Sequence, residues 1–376
     1  MLLSLLWGCV DAPCAGFEGN TLYVYGAEEE HRQGTNPRAF ESIREALAVA
    51  GAGTGICIGP GTWNESLNVT TPGISLLGAG SDLTFLEPVA SGAREGDTTG
   101  IQVGAGGLDV RNLTIRDATR GVYVRPGHGL HMEGVVLVTN GTGLFANEPD
   151  QVVLEDVSFV RNTSIGALVT ANGPVPPLTL RNGVFAGNGS LGSSEVGGLY
   201  SDRDVDLVGT RFSDNAGSLA ADLYVEGHLG ATRLTIDRPA VSGGAPRVIA
   251  GDGATLRHIH IESTGATAVS VRCRDLGAEV ENMALHSTGG EEPLLRFQDC
   301  TGRIVHATVV ADDAQVAVEL LGDGQFEVAN SVFIGVVPVE GELARAGVNF
   351  VGSLGEAGLS TGLSPEAGSP LVDGGE

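Results

Sequence analysis

Asp202, Asp204 and Asp206 stand at i, i+2 and i+4 in the segment SDRDVDLV, so three carboxylates share one face if that segment is extended. Oxygen ligands so placed suit a hard cation, and calcium is the candidate. The competing assignment is a solvated acidic edge on a chain that is acidic throughout. His258 and His260 flank Ile259, where a bend and a surface role account for them without a metal. The five cysteines form no CxxC pair and no Cys/His cluster with zinc spacing. All 21 basic residues are arginines, which removes Schiff-base chemistry, pyridoxal phosphate, a P-loop lysine and a Ser-Lys dyad. No cofactor is required on this reading; calcium is the one ion left open.

A repeat supplies the elements that position these residues. Between residues 108 and 333 a pattern returns about every 24 residues, with anchors Ile115, Leu137, Phe159, Phe185, Phe212, Ile236, Ile261, Leu285, Val309 and Phe333. Five places before each anchor stands an apolar residue, and seven places before as well, with Gly302 the exception. Polar residues such as Asp109, His131, Thr179, Asp206 and Glu279 alternate with them, which is the signature of a half-buried strand. Three places before each anchor come Asn112, Gly134, Asp156, Asn182, Gly209, Arg233, His258, Asn282, His306 and Asn330. Most of these types tolerate left-handed backbone, so a bend between two short strands is expected there. A third apolar run follows, as in Gly121–Val124, Leu199–Tyr200 and Leu223–Val225. Three short strands per coil, stacked at ~4.8 Å, make an all-β solenoid.

The composition agrees. The 376 residues are 42% hydrophobic and 18% charged with 58 glycines, ample apolar content for a packed core. Those glycines have no three-residue period, which excludes collagen. A net charge of −25 repels phosphate backbones and anionic membrane surfaces, so nucleic acid is excluded as a partner. Residues 22–376 read as one elongated solenoid domain, regular over about 108–333, and as a monomer.

In these features the chain resembles the right-handed parallel β-helix proteins of the pectin-lyase-like superfamily. The likeness is clearest in Leu22-Tyr23-Val24, in Ala39–Leu47, in Ile56–Glu65 (ICIGPGTWNE) and in Ile74–Gly80 (ISLLGAG). Asn36 and Pro37 read as an N-cap and first turn, with Phe40, Ile43, Leu47 and Ala50 on one face of a short N-terminal helix that caps the open end. Leu363–Gly374 is similar to the closing segment of bacterial members. Phe159–Asn162, Phe185–Asn188 and Phe212–Asn215, with Leu137–Asn140 as a variant, resemble repeats of β-helical adhesins, in which stacked aromatics fill the core and stacked amides satisfy one another.

The resemblance implies polysaccharide lyases, polygalacturonases and epimerases as relatives, yet their motifs are missing. Gly127-His128-Gly129 matches one polygalacturonase element, but it precedes a strand, where glycines make a turn; Asp312-Asp313 lies far downstream, and the lysine motif is absent. Asn147–Asp150 lacks the histidine of the epimerase motif. Lyases use an arginine base and calcium-held carboxylates, for which Glu155, Arg181 and Asp206 are the remaining candidates. The outward series Arg111, Glu133, Glu155, Arg181 also reads as charge pairing between coils, each exposed pair contributing at most about 1 kcal/mol. Two readings follow: a non-catalytic, carbohydrate-binding or adhesin-like scaffold, and a lyase or glycoside hydrolase acting on an anionic polysaccharide with calcium.

Residues 1–9 end in Leu6-Trp7-Gly8-Cys9, which resembles a bacterial lipobox with Cys9 as the lipidated residue; residues 10–21 form a short leader. The expected location is therefore the cell envelope or the extracellular space, with membrane contact only through that lipid. In an exported protein the other four cysteines pair. Cys57, between inward-pointing Ile56 and Ile58, faces outward towards Cys14 in the leader; Cys273 and Cys300 fall 12 and 15 residues after their anchors on adjacent coils. Free thiols are the alternative.

Overall fold

One coil shows how the chain is built. Gly107–Arg111, Thr114–Arg116 and Arg120–Val124 are three strands, and Gly129–Glu133, Val136–Val138 and Thr142–Ala146 repeat them one coil later. The pairing is parallel and in register: Leu108 meets Leu130, Val110 meets Met132, Ile115 meets Leu137 and Val122 meets Leu144. All of these are buried, as are all ten anchors. Alternation aims the intervening side chains outward. The ten residues three before the anchors all have positive φ, from 52° at Asn182 to 68° at Gly209, and the corner holds even where the residue is Arg233. A left-handed residue breaks the pleat, so the residue after it, such as Leu113, turns inward just before the next strand.

The computed structural model describes residues 14, 16–25, 39–89, 98–173, 175–190, 192, 194–237, 245–265, 267–290, 292–311, 316–345 and 349–353. The fold is an all-β parallel β-helix, and the described residues contain one short helix. That helix is not long enough to cross a membrane. Cys9, Asn36, Pro37, Asp312, Asp313 and the segment 363–374 lie outside the described residues. The chain divides into two compact units, residues 1–158 and 159–376.

In the first unit, Thr21–Val24 pairs in parallel with Gly55–Ile58. The helix spans Ile43–Val49 and buries Ile43 and Ala46. Its N-cap is Ser42, whose hydroxyl accepts from the Glu45 N–H at 3.1 Å, so the expectation of a start at Asn36–Pro37 is corrected. Phe40 is an isolated bridge partner of Val24 and not a helical residue. The deciding contact is non-local: the buried Glu65 carboxylate accepts from the N–H groups of Ile43 at 2.9 Å and Arg44 at 3.0 Å. Cys57 is bonded to Cys14 as expected, with α-carbons 5.5 Å apart. It is fully buried, so its outward position carries no exposure.

The second unit is organised around two stacks. Phe159, Phe185 and Phe212 lie parallel at 4.6 and 4.7 Å between centroids. Beside them runs a buried row of amides: Nδ2 of Asn162 donates to Oδ1 of Asn188 at 2.9 Å, and Nδ2 of Asn188 to Oδ1 of Asn215 at 2.9 Å. Nδ2 of Asn215 then donates to Oδ1 of Asp222 at 2.8 Å, and Asp222 is ion-paired with Arg247. Both charges are buried. In later coils the first two strands run together as Ala254–Gly265, Ala278–Gly290 and Gly302–Ala311, so those coils have two strands and not three, although His258, Asn282 and His306 keep their left-handed corners. Cys273 and Cys300 form the second disulfide, with α-carbons 4.9 Å apart. Their phase difference is absorbed mostly before the strands Val269–Arg272 and Leu295–Gln298, which pair Arg272 with Gln298.

Candidate functional site

The first unit carries a cluster of chemistry-bearing side chains on the outer face of three successive strands. Gly107–Arg111, Gly129–Glu133 and Gln151–Glu155 bury Leu108 and Val110, Leu130 and Met132, and Val152 and Leu154. The same alternation sends Asp109 and Arg111, His131 and Glu133, and Val153 and Glu155 outward. Register stacks Ser75, Asp109, His131 and Val153 in one column and Arg111, Glu133 and Glu155 in the next.

Nδ1 of His131 lies 2.9 Å from Oδ1 of Asp109, and Nε2 lies 3.6 Å from Glu155. Arg111 Nε donates to Asp109 Oδ2 at 2.8 Å, and its Nη1 lies 3.2 Å from Glu133. The hydrogen bond to Asp109 raises the His131 pKa above its ordinary value, with burial opposing and the Asp109 charge assisting. Burial would lift Asp109, but the hydrogen bond from His131 and the charge of Arg111 hold it below the usual range. The result is an imidazole fixed through one nitrogen, with the other directed to a carboxylate.

Of these groups Asp109 and His131 border a groove of about 390 Å³, lined also by Gly73, Gly107, Gly129 and Gln151 among others. Gly73 needs its glycine, since its φ is +70°. Gly107 and Gly129 do not have that requirement: a β-carbon at Gly107 would meet nothing within 4 Å, and one at Gly129 would meet Gly107 Cα at 3.7 Å. Missing side chains at these strand positions are what open the groove.

Of the residues singled out in the sequence, Glu155 belongs to this cluster. Arg181 and Asp206 belong to the second unit, exposed on neighbouring strands, facing Val208 and Thr179 respectively. The expectation that Asp202, Asp204 and Asp206 share an extended face is corrected: only Asp206 is on a strand, and the other two lie in the corner after Leu199–Ser201. Oδ1 of Asp204 accepts from the His228 N–H at 2.8 Å. Among the described residues, no three His, Cys, Asp or Glu side chains are grouped to hold a metal ion. His258 stands at its corner beside Asn282, 3.3 Å away.

Asp109 and His131 were legible as polar residues of alternating strands but not as a pair. Reading the position six before each anchor down the coils would have placed them side by side.

No protein-family model matches the chain, and no curated protein matches it. Among solved structures, it is similar to the catalytic unit of the thermostable GH87 alpha-1,3-glucanase from Streptomyces thermodiastaticus strain HF3-3, at 13% identity and a TM-score of 0.45, over 90% of this chain and 70% of that one. It is also similar to the alginate lyase from Paenibacillus sp. str. FPU-7, at 13% identity and a TM-score of 0.35, over 82% of this chain and 96% of that one.

Proposed function

We propose that this chain hydrolyses glycosidic bonds in an uncharged polysaccharide at the groove of the first unit. The observation that carries the reading is the Asp109–His131–Glu155 arrangement beside a groove opened by glycines. Asp109 accepts from Nδ1–H and fixes the ring, which leaves Nε2 to exchange a proton. A protonated His131 delivers that proton to the glycosidic oxygen as the bond to the anomeric carbon breaks. Because Glu155 lies 3.6 Å from Nε2, it takes a proton from water that adds to that carbon on the same face from which the leaving oxygen departs. Exchange across the 3.6 Å between Glu155 and Nε2 resets the pair.

Charge selects the substrate class. Asp109, Glu133 and Glu155 outnumber Arg111 and His131, and both cations already face carboxylates. A polyuronate would meet repulsion here and from the net charge of −25. Elimination needs a uronic acid, so hydrolysis is the chemistry that fits. Two disulfides suit an exported protein that meets such polymers outside the cell.

The test is a panel of neutral glucans, xylan and mannan beside polygalacturonate and alginate, with and without calcium. New reducing ends on a neutral polymer, lost in His131→Ala, are expected. Ultraviolet-absorbing unsaturated ends on a polyuronate, or cleavage of no polymer at all, would overturn the proposal.

A further inference from the structure

A different face of the first unit presents a second kind of surface. Leu67–Val69, Thr99–Val103, Arg120–Val124 and Thr142–Ala146 pair in parallel as one ladder. Their alternation buries Leu67, Val69, Ile101, Val103, Val122, Val124, Leu144 and Ala146. The residues between, in register on four successive coils, are Asn68, Gln102, Tyr123 and Phe145. Each reaches solvent at least in part. Gln102 Nε2 donates to Asn68 Oδ1 at 2.9 Å. The rings of Tyr123 and Phe145 stack at 5.3 Å between centroids, 19° from parallel.

We infer that this column of two amides and two aromatic rings holds an uncharged glycan chain along the coil axis, as an anchoring surface separate from the groove. Its choice of ligand rests on the proposed function; its location does not. The four residues carry no charge on a chain whose net charge is −25, and the Arg120 guanidinium lies 5.6 Å from the centroid of the Tyr123 ring. A polycation would find stronger partners elsewhere on that surface and a polyanion would be repelled, so the column complements a neutral polymer. Aromatic rings offer apolar contact to the C–H faces of a pyranose, and side-chain amides both donate to and accept from its hydroxyls. The ~4.8 Å coil spacing repeats these groups along a line, as a polymer requires. In the second unit the stacked pair Tyr200 and Tyr224 is tied to a carboxylate, because Tyr200 donates to Glu226 at 2.7 Å.

Native gel electrophoresis through hydroxyethyl cellulose, arabinoxylan, pullulan or polygalacturonate tests the inference on the full chain. Retardation by at least one neutral polymer and none by polygalacturonate is expected. Tyr123→Ala and Phe145→Ala should each weaken it about tenfold, equivalent to about 1.4 kcal/mol. Tyr123→Phe, which keeps the ring, should stay within about twofold of the wild type, a scale that corresponds to well under 1 kcal/mol. His131→Ala should lose cleavage and keep retardation, so failure of the groove and failure of this face give different results. Retardation by none of the polymers, retardation lost in His131→Ala but kept in Tyr123→Ala, or Tyr123-dependent dimerisation by sedimentation would overturn it.

Discussion

Asp109 and His131 face each other across adjacent coils, 2.9 Å apart, and each shifts the titration of the other. His131 is raised from 6.5, chiefly by its hydrogen bond to Asp109. Asp109 is held below 3.8, because His131 and Arg111 outweigh the burial that would lift it. A raised histidine stabilises the fold fully below its unfolded value and loses that contribution as pH climbs through its folded value. A lowered carboxylate contributes above its unfolded value and loses that contribution as pH falls through the folded one. Their joint stabilisation is therefore full between 3.8 and 6.5. The His131 ring protons should titrate with a midpoint above 6.5 by NMR, falling in Asp109→Asn, and activity should decline on the alkaline side of that midpoint. A wild-type midpoint at or below 6.5 contradicts the pairing.

Filling the groove separates catalysis from folding. Gly107→Val places a strand-favouring side chain where a β-carbon meets nothing within 4 Å. Stability should change by no more than about 0.5 kcal/mol in chemical denaturation. Cleavage should fall on the order of a hundredfold through a displaced substrate. Unchanged activity in a folded variant would remove the groove from the mechanism.

Phe185 lies between two other rings, at 4.6 Å from Phe159 and 4.7 Å from Phe212. Phe185→Ala should cost about 3–5 kcal/mol through the cavity it leaves. A loss under about 1 kcal/mol would mean that the stack collapses around the gap, outside the usual range for such truncations.

Asp222 and Arg247 test a buried ion pair. Asp222→Ala leaves the Arg247 charge buried without its partner and should cost about 3–5 kcal/mol. The double variant Asp222→Leu with Arg247→Met should recover most of that loss, measured by the same denaturation midpoints. Equal losses in the single and double variants would assign the cost to packing and not to charge.

The repeating part of this molecule was legible because its signals are local. Each anchor and each corner is announced by residues within one coil, and every corner named from the sequence is left-handed, Arg233 included. What escaped was fixed by partners a coil or more away. Asn36-Pro37 is a good helix start in isolation, but Glu65, 22 residues beyond Ile43, determines where the first free N–H groups must lie. Asp109 and His131 also stand 22 residues apart and meet only through register. Gly129 reads as a turn former beside Gly127, yet it opens a strand and lines a groove. Asp222 and Arg247 sit in irregular stretches where no period points to them.

The row Asn162, Asn188, Asn215 has a direction. All three amides give through nitrogen, and Asn188 and Asn215 receive through oxygen, so the members point the same way. Such a row ends on a group that receives, and a carboxyl oxygen of Asp222 is that terminus. The carboxyl group works as a full stop in a sentence of amides: it sets the sense in which the row is read and ends it. Lengthening the row past Asn215 would therefore take a new stop as well as a new asparagine, whereas lengthening it before Asn162 would not.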